Sequence, residues 1–315
     1  MSVTRVLGPA LLLQIVILLA GLPASGQQDQ SPPLAPMDAA SLPDLKPDAT
    51  GGLSQAQMQD LRQIVMDRYR ENYSKQRDYT YVVRKVQNKF DGKGGIKSSE
   101  SKTYEVMELY GEQVERLIAK DDKPLSAQDA VQEEEKIRKL TDKRKNESEN
   151  DRSKRQAEEE KQRKKNREFV HEVADAYDFR LLGSEMLNGR DTWVIAGEPR
   201  PGFQAHLKEA QILPKYHGRL WIDKQDLQLA KLDVEALDTV SFGWLLARIH
   251  KGTRLVIERT RVNGEVWLPQ HMTFKLDARI ALFKGYNQEN EETFRDYKKF
   301  RATAKIVGVG DVKEK

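Results

Sequence analysis

The residue types that most often perform catalysis are scattered along this chain. None of its five histidines has a second histidine, a cysteine or a carboxylate at the spacing of a zinc-binding motif such as His-Glu-x-x-His. The nearest approach is the isolated dipeptide His171-Glu172. This spacing predicts no metal site. The five histidines are His171, His206, His217, His250 and His271.

Nucleophile and phosphate motifs are absent as well. The chain has no Gly-x-Ser-x-Gly elbow, and its glycine runs at 92–95 and 308–310 lack the Lys-Ser/Thr and the following helix of a phosphate-binding loop. It has no cysteine, which excludes disulfides, thiol catalysis and a lipid-modified N-terminal cysteine. The sequence therefore predicts a protein that is not an enzyme and carries no metal or cofactor. A hydrolase with paired carboxylates is the alternative.

The charge balance argues against nucleic acid as the default partner. The chain has 53 Lys and Arg against 49 Asp and Glu, so its formal net charge is only +4. Hydrophobic residues make up 38% of the sequence, which is enough to build a core. A chain of 315 residues can form two domains or one large β domain.

The first 26 residues have the layout of a secretory signal peptide. Arg5 supplies a positive region, an apolar run covers 11–20, and Ala24-Ser25-Gly26 has the small residues of a cleavage site. We predict cleavage near Gly26 and a periplasmic or secreted product. An uncleaved membrane anchor is the alternative, but the apolar run is about half the length that a spanning helix needs. Five prolines then indicate a disordered linker over 27–52.

A single folded domain is predicted over 53–310, followed by a short tail, 311–315. It opens with a helix at about 54–75, because Ser54 and Gln57 fit a capping box and apolar residues then recur at helical spacing. The period then changes to two, which indicates a three-stranded meander. Its strands are predicted near Tyr79–Val86, Tyr104–Leu109 and Val114–Ala119.

The segment 126–168 interrupts the β pattern with dense charge. Residues 133–168 include 14 basic, 11 acidic and only three aliphatic residues. Opposite charges four residues apart favour a solvated helix, each pair by about 0.2–0.5 kcal/mol, with an interruption at 146–150. A polyanion-binding or partner-binding arm is the alternative to a solvated insertion. From Phe169 onward, apolar residues should dock this segment on the domain. The charged pairs are Glu134/Arg138, Glu135/Lys139, Asp151/Arg155, Glu159/Arg163 and Glu160/Lys164.

The second half is almost wholly β. Its longest run, Met272–Leu282, places apolar residues on one parity and charged residues on the other, as in a strand with one buried face. Asn188-Gly189 and Asn263-Gly264 indicate two hairpin turns. The predicted strands are Phe179–Leu187, Thr192–Gly197, Tyr216–Asp223, Leu227–Ala236, Val240–Ile249, Thr253–Val262, Val266–Phe283 and Phe294–Val307.

A proline-rich break follows the first of these hairpins, from Pro199 to Phe203. Beyond it, Phe203, Leu207 and Ala210 are spaced as the apolar face of one short helix. Such a helix would be a lid above a ligand cavity. An ordinary covering loop is the alternative.

Many strands with helices grouped early indicate an α+β protein whose large curved antiparallel sheet curls over helices. The order of helix, meander, helical crossing and hairpin series, with Gly218-Arg-Leu-Trp-Ile-Asp223 and Asn263-Gly-Glu-Val-Trp-Leu-Pro269, resembles the periplasmic outer-membrane lipoprotein carrier and lipoprotein-sorting superfamily. The resemblance covers 53–120 and 169–309, so 126–168 is an insertion. It implies an unclosed β-barrel with helices in its mouth and an apolar cavity that shields acyl chains.

A half-barrel with an apolar concave face is filled either by its own helices or by a ligand, and an acyl chain gains about 0.8 kcal/mol per buried CH₂. The first hypothesis is a non-enzymatic periplasmic carrier for acyl lipid or lipidated protein, with transient membrane contact only. The second is an envelope interaction or stress-sensor module with a self-filled cavity, whose charged insertion binds a protein partner. Core packing is the competing role for every candidate lining residue. The candidates are Trp193, Phe242, Trp244, Leu246, Phe274, Leu276, Ile280 and Leu282, with Phe203 and Leu207 in the lid.

Overall fold

The computed structural model describes residues 45–49, 53–76, 78–110, 112–242, 247–280 and 284–300. The predicted signal peptide, most of the predicted linker and the tail lie outside these residues. No helix in the described part of the chain is long and apolar enough to cross a membrane. The helices are α1 (Gln55–Gln76), α2 (Ala127–Lys145), α3 (Glu149–Ala176) and a 3₁₀ helix (Lys208–Lys215). The strands are β1 (Tyr79–Phe90), β2 (Ile96–Leu109), β3 (Glu112–Lys120), β4 (Lys123–Pro124), β5 (Tyr177–Leu187), β6 (Arg190–Pro199), β7 (Tyr216–Asp223), β8 (Leu229–Ala236), β9 (Val240–Phe242), β10 (Ala247–Ile249), β11 (Arg254–Val262), β12 (Val266–Ile280) and β13 (Lys284–Lys299).

These strands form one antiparallel sheet in the order β4-β3-β2-β1-β13-β12-β11-β8-β7-β6-β5, with β10 pairing with β12 and β9. The strand β13 lies between β1 and β12, so it joins the N-terminal meander to the C-terminal hairpins. The outer strands β4 and β5 do not meet, and the sheet is therefore an open half-barrel with helices on its concave face. The predicted fold class is confirmed by this strand order.

The first helix begins at the predicted capping box. The Ser54 N–H donates to Gln57 Oε1 at 2.9 Å, and the Gln57 N–H donates to Ser54 Oγ at 3.2 Å. Each side chain thus satisfies an amide that the first helical turn leaves without a partner. Leu61 then packs against Ile195 and Ile222 in a buried cluster. The apolar stripe of α1 therefore covers the concave face at β6 and β7.

Both predicted Asn-Gly turns are confirmed by their backbone angles. Asn188 and Gly189 have φ of +50° and +78°, and they connect β5 to β6. Asn263 and Gly264 have φ of +51° and +69°, and they connect β11 to β12. Positive φ at two successive positions suits Asn-Gly, because glycine has no Cβ and asparagine tolerates the left-handed region.

The charged insertion forms α2 and α3, which are separated at 146–148 inside the predicted interruption. Of the predicted charged pairs, Glu135 and Lys139 are 2.8 Å apart. Other pairs follow a different spacing: Arg155 pairs with Glu147 at 2.8 Å, Arg167 with Glu160 at 2.9 Å, and Arg138 lies 4.0 Å from Glu135, three residues earlier. The pair Glu159/Arg163 lies outside the described side chains. The predicted docking is confirmed, since Phe169 is buried.

Two strand predictions differ from the structure in continuity or in bounds. The predicted strand Val240–Ile249 is two short strands, β9 and β10, which pair antiparallel with each other. The apolar run 242–247 gave little sign of this reversal. The predicted last strand, Phe294–Val307, is confirmed over Phe294–Lys299, but β13 begins ten residues earlier, at Lys284, and residues beyond 300 lie outside the description. The first half of β13 is polar, and it is a strand because β1 and β12 pair with its backbone on both sides.

Candidate functional site: an apolar pocket under helix α3

An apolar pocket lies between the concave face of the sheet and the elements that cover it. Its residues come from β5 to β8, β11 and β12 on the sheet side, and from the end of α3 and the 3₁₀ helix on the other side. The cavity volume is about 120 Å³, and its mouth opens to solvent.

The floor of the pocket is a row of residues that face one another across neighbouring strands. Gly197 pairs with Gly218, Gly218 with Val234, Val234 with Leu255, and Leu255 with Phe274. Residues directly opposite each other share one face of a sheet, and all five line the pocket. Because positions 197 and 218 are both glycine, the Phe179 ring and the backbone of β8 can approach this part of the floor closely.

The cover joins the last turns of α3 to the 3₁₀ helix. Phe169 and Ala176 of α3 form a buried cluster with Tyr177 of β5 and with Ala210 and Leu213 of the 3₁₀ helix. Half-buried apolar side chains pack against this cluster. The C-terminal end of the charged helix α3 therefore forms the roof of an apolar space. The half-buried side chains include Val173, Phe203 and Leu207. The prediction of one short helix carrying Phe203, Leu207 and Ala210 was wrong, because the helix begins only at Lys208 and is a 3₁₀ helix.

The carboxylate of Glu172 attaches the cover loop to α3. It is buried, with 7% of the residue exposed. Its two oxygens accept hydrogen bonds from the backbone N–H groups of His206 at 3.0 Å and Leu207 at 2.5 Å. Leu207 directly precedes the 3₁₀ helix, so the carboxylate satisfies amides at the start of that helix. The dipeptide His171-Glu172, which came nearest to a zinc motif in the sequence, thus supplies a structural clamp.

Few polar groups reach the pocket, and most of them are paired. Arg254 lines it, but its guanidinium binds the Asp233 carboxylate through two contacts of 2.7 and 2.5 Å. The Tyr177 hydroxyl donates to Leu213 O at 2.8 Å. The Tyr216 hydroxyl is buried and has no hydrogen-bond partner among the described residues. Burial raises the pKa of Tyr216 to about 12, so this hydroxyl keeps its proton at neutral pH.

The predicted lining residues are divided among several places. Phe274 lies on the pocket floor. Leu276, two residues further along β12, is buried in a neighbouring cluster with Ile212 and Tyr216. Trp193 is half-buried against the cluster of Leu61 under α1. Trp244, Leu246 and Leu282 lie outside the described residues, while Phe242 and Ile280 are placed only by their backbone pairing with Ala247.

Sequence reasoning missed most of the residues that surround the pocket. Phe169 and Val173 were recognised as an apolar face that docks, but not as a roof over a cavity. Gly197 and Gly218 carry no pattern of their own, because their importance follows from lying opposite each other on adjacent strands. Alternation within one strand identifies a face, and strand order decides which faces enclose a space.

Three of the five histidines each lie near one carboxylate in the described part of the chain. His250 lies 2.8 Å from Asp277, His271 lies 3.0 Å from Glu291, and His217 lies 3.7 Å from Glu198. No set of three or more metal-ligating side chains converges within the described ranges.

Several solved structures have a chain path similar to that of this protein. An outer membrane lipoprotein-sorting protein domain from Vibrio parahaemolyticus is 13% identical, with 76% of this chain and 92% of that chain covered and a TM-score of 0.32. A LolA superfamily protein from Nitrosomonas europaea is 10% identical, with 71% and 86% covered and a TM-score of 0.27.

A third similar structure is the MucA/MucB complex of Pseudomonas aeruginosa, which is 11% identical, with 75% of this chain and 94% of that chain covered and a TM-score of 0.21. No known protein-family profile matches the sequence, and no curated protein matches it either. These identities and TM-scores are too low to transfer a ligand or a partner to this chain.

Proposed function

We propose that this protein binds acyl chains in the pocket under α3, as a non-enzymatic carrier of the cell envelope. The observation that carries the proposal is an apolar space between a sheet floor and a separate helical cover. An acyl chain that enters it gains about 0.8 kcal/mol for each buried CH₂. The same chemistry is presented by a free lipid and by a lipidated protein.

The charges around the pocket suit an uncharged chain. Asp233 neutralises Arg254, the cation among the lining residues, through a two-contact ion pair. The remaining lining is dominated by aromatic and aliphatic side chains, including Phe179, Leu220 and Leu232. A hydrophilic ligand would lose its hydration here without finding replacement hydrogen bonds, which is unfavourable.

The first test is native mass spectrometry of the mature protein, purified from a bacterial periplasm without detergent, followed by lipid extraction. Acyl lipid at about one molecule per chain is the expected result. An apo mass, with no uptake of a fluorescent fatty acid, would overturn the proposal. Parallel loading with a diacylated lipopeptide separates a preference for lipidated protein from a preference for free lipid.

A pair of variants places the ligand within the molecule. Val234→Trp adds a ring to the pocket floor and should abolish uptake of the fluorescent fatty acid. Arg219→Trp makes the same kind of addition on the exposed outer face of β7 and should leave uptake unchanged. Equal uptake by the two variants would exclude this pocket as the binding site.

The second candidate function is binding of an envelope protein through the charged insertion. One observation favours it: α3 runs without interruption from the charged segment to the roof of the pocket. A partner held on the charged part of α3 would thus touch an element that covers the pocket. Replacing residues 139–160 by a short flexible linker should remove partner crosslinks in cells and leave acyl binding intact. Retained crosslinks would exclude the insertion as the partner surface.

A further inference from the structure

The hydroxyl of Tyr216 is a buried polar group that the fold leaves without a partner. Only 8% of this residue is exposed, and the oxygen is shielded from solvent without a hydrogen bond to any described residue. The surrounding buried side chains are apolar, so none of them can accept a hydrogen bond from this hydroxyl. They include Ile212, Ala236, Val240, Ile249 and Leu276. An unpaired buried hydroxyl is unfavourable, and most such groups in folded proteins have partners.

A second tyrosine at the same pocket shows the contrast. Tyr177 also lines the space, but its hydroxyl donates to the carbonyl oxygen of Leu213 at 2.8 Å. The 3₁₀ helix therefore satisfies one tyrosine with its own backbone and leaves Tyr216 unsatisfied. A ligand that brings a hydrogen-bond acceptor is able to complete the second position.

We infer that the Tyr216 hydroxyl donates a hydrogen bond to the ester carbonyl oxygen of a bound acyl group. This inference rests on the proposed acyl-chain function. The carbonyl is the polar group at the end of an esterified acyl chain, and it can only accept, which suits a phenolic hydroxyl that keeps its proton. A free carboxylate suits the site less well, because Asp233 already occupies the guanidinium of Arg254.

Access to this hydroxyl depends on the cover. Ile212 of the 3₁₀ helix lines the pocket and also packs in the cluster around Tyr216. The helix must therefore shift outward for the carbonyl to reach the hydroxyl, while the acyl chain lies along the apolar floor. The same shift would change the position of Leu213, the partner of Tyr177.

The test uses two lysophospholipids that differ by one carbonyl oxygen. The probes are 1-palmitoyl-lysophosphatidylcholine and 1-O-hexadecyl-lysophosphatidylcholine, which share chain length and headgroup. Their affinities are measured below their micellar concentrations by displacement of a fluorescent fatty acid from the full mature chain. Wild type should prefer the acyl form by about fivefold, the ratio that corresponds to one net hydrogen bond. Tyr216→Phe should remove this preference by weakening the acyl form alone.

Tyr297→Phe is the matched control, because it also removes one hydroxyl from a half-buried tyrosine, but at a residue that does not line the pocket. It loses the bond to the Pro269 carbonyl and should lower thermal stability, but it should keep the preference for the acyl form. An unchanged preference in Tyr216→Phe, with both lipids still bound, would overturn the inference and leave the carrier function intact. If wild type displaces the fluorophore with neither lipid, the carrier proposal itself fails.

Discussion

The Glu133 carboxylate on α2 accepts a hydrogen bond from the backbone N–H of Leu117 on β3 at 2.9 Å. Lys136, on the next turn of the helix, lies 2.7 Å from Glu133 and donates to the backbone carbonyl of Glu115 at 3.3 Å. These two side chains therefore form hydrogen bonds with backbone groups on the outer edge of β3. The strand β4 pairs only with the end of β3. An open strand edge invites pairing with other chains, and the start of the charged insertion protects this one.

Replacing Glu133 by Ala should open this edge. Leu117 then loses the acceptor for its amide, which lowers the free energy of unfolding by about 1 kcal/mol. Amide hydrogen exchange measured by NMR should be faster at Leu117, and urea unfolding should report the loss of stability. Glu134→Ala is the control, since that side chain is exposed on the same turn. Unchanged protection of Leu117 in the Glu133 variant would show that the contact does not guard the edge.

Replacing Glu172 by Ala should loosen the cover of the pocket. Two backbone amides at the start of the 3₁₀ helix lose their acceptor, so hydrogen exchange over 203–213 should accelerate. A bound fluorescent fatty acid should also dissociate faster, because the cover opens more often. Glu168→Ala, one turn earlier on an exposed face of α3, should alter neither rate. A dissociation rate equal to that of wild type would show that the clamp does not limit release.

The glycines of the pocket floor should respond differently to an added methyl group. A Cβ at Gly218 would lie 2.8 Å from the backbone oxygen of Asp233 and 3.1 Å from Val234 Cγ2. A Cβ at Gly197 would lie 3.2 Å from the ring of Phe179, which can shift. Gly218→Ala should therefore cost about 1–3 kcal/mol of stability, and Gly197→Ala clearly less. Equal denaturation midpoints for the two variants would contradict the tight approach of β8 to Gly218.

A half-buried carboxylate, Glu292 on the meander side of the sheet, predicts a pH dependence. Burial raises the pKa of Glu292 above its ordinary value, although Lys85 nearby opposes this. An acid with a raised folded pKa contributes stability that is fully present below its unfolded pKa, and this contribution is lost as the pH rises through the folded pKa. Glu292→Gln should therefore be more stable than wild type at pH 7, and the difference should disappear near pH 4.

Glu115→Gln should have the opposite effect on stability at pH 7, although Glu115 also lies beside Lys85. The Lys85 ammonium lies 2.6 Å from Glu115 but 3.9 Å from Glu292, so Glu115 is its main partner. Removing that partner's charge should destabilise the protein at pH 7. Urea midpoints at pH 4 and pH 7 measure both effects. A Glu292→Gln variant that is less stable than wild type at neutral pH would show that pairing with Lys85 outweighs the burial of Glu292.

Local sequence signals predicted the elements of this fold better than their assembly. The capping box at Ser54 and the Asn-Gly turns act within a few residues, so the sequence shows them directly. The alternation of β12 revealed its buried face, since Met272 and Leu276 are indeed buried. By contrast, the polar start of β13 becomes a strand only because β1 and β12 lie on either side. No local pattern records that placement.

The same distinction between local signals and assembly explains why the sequence identified only some of the pocket residues. Trp193 and Phe274 both belong to the concave face, as alternation indicated, but different elements lie above them. Helix α1 covers the region of Trp193 with Leu61, whereas the end of α3 covers Phe274 at a distance that leaves a cavity. Which part of an apolar face is filled depends on where helices far away in sequence cross it.

This difference in cover yields a prediction that separates core packing from ligand binding. Phe274→Glu places a carboxylate on the pocket floor and should abolish uptake of a fluorescent fatty acid, because the chain would then contact a charge in an apolar space. Phe274→Leu, the conservative change, should retain most of the uptake.

Trp193→Ala should show the converse behaviour. It removes a large side chain from the packing under α1 and should destabilise the protein by about 3–5 kcal/mol if the site cannot collapse. Its half-buried position suggests the lower end of this range. Fatty-acid uptake measured well below the unfolding temperature should remain close to wild type, since this tryptophan is not part of the pocket lining. Loss of uptake in Trp193→Ala, together with full uptake in Phe274→Glu, would place the binding site on the apolar face under α1 and not in the pocket under α3.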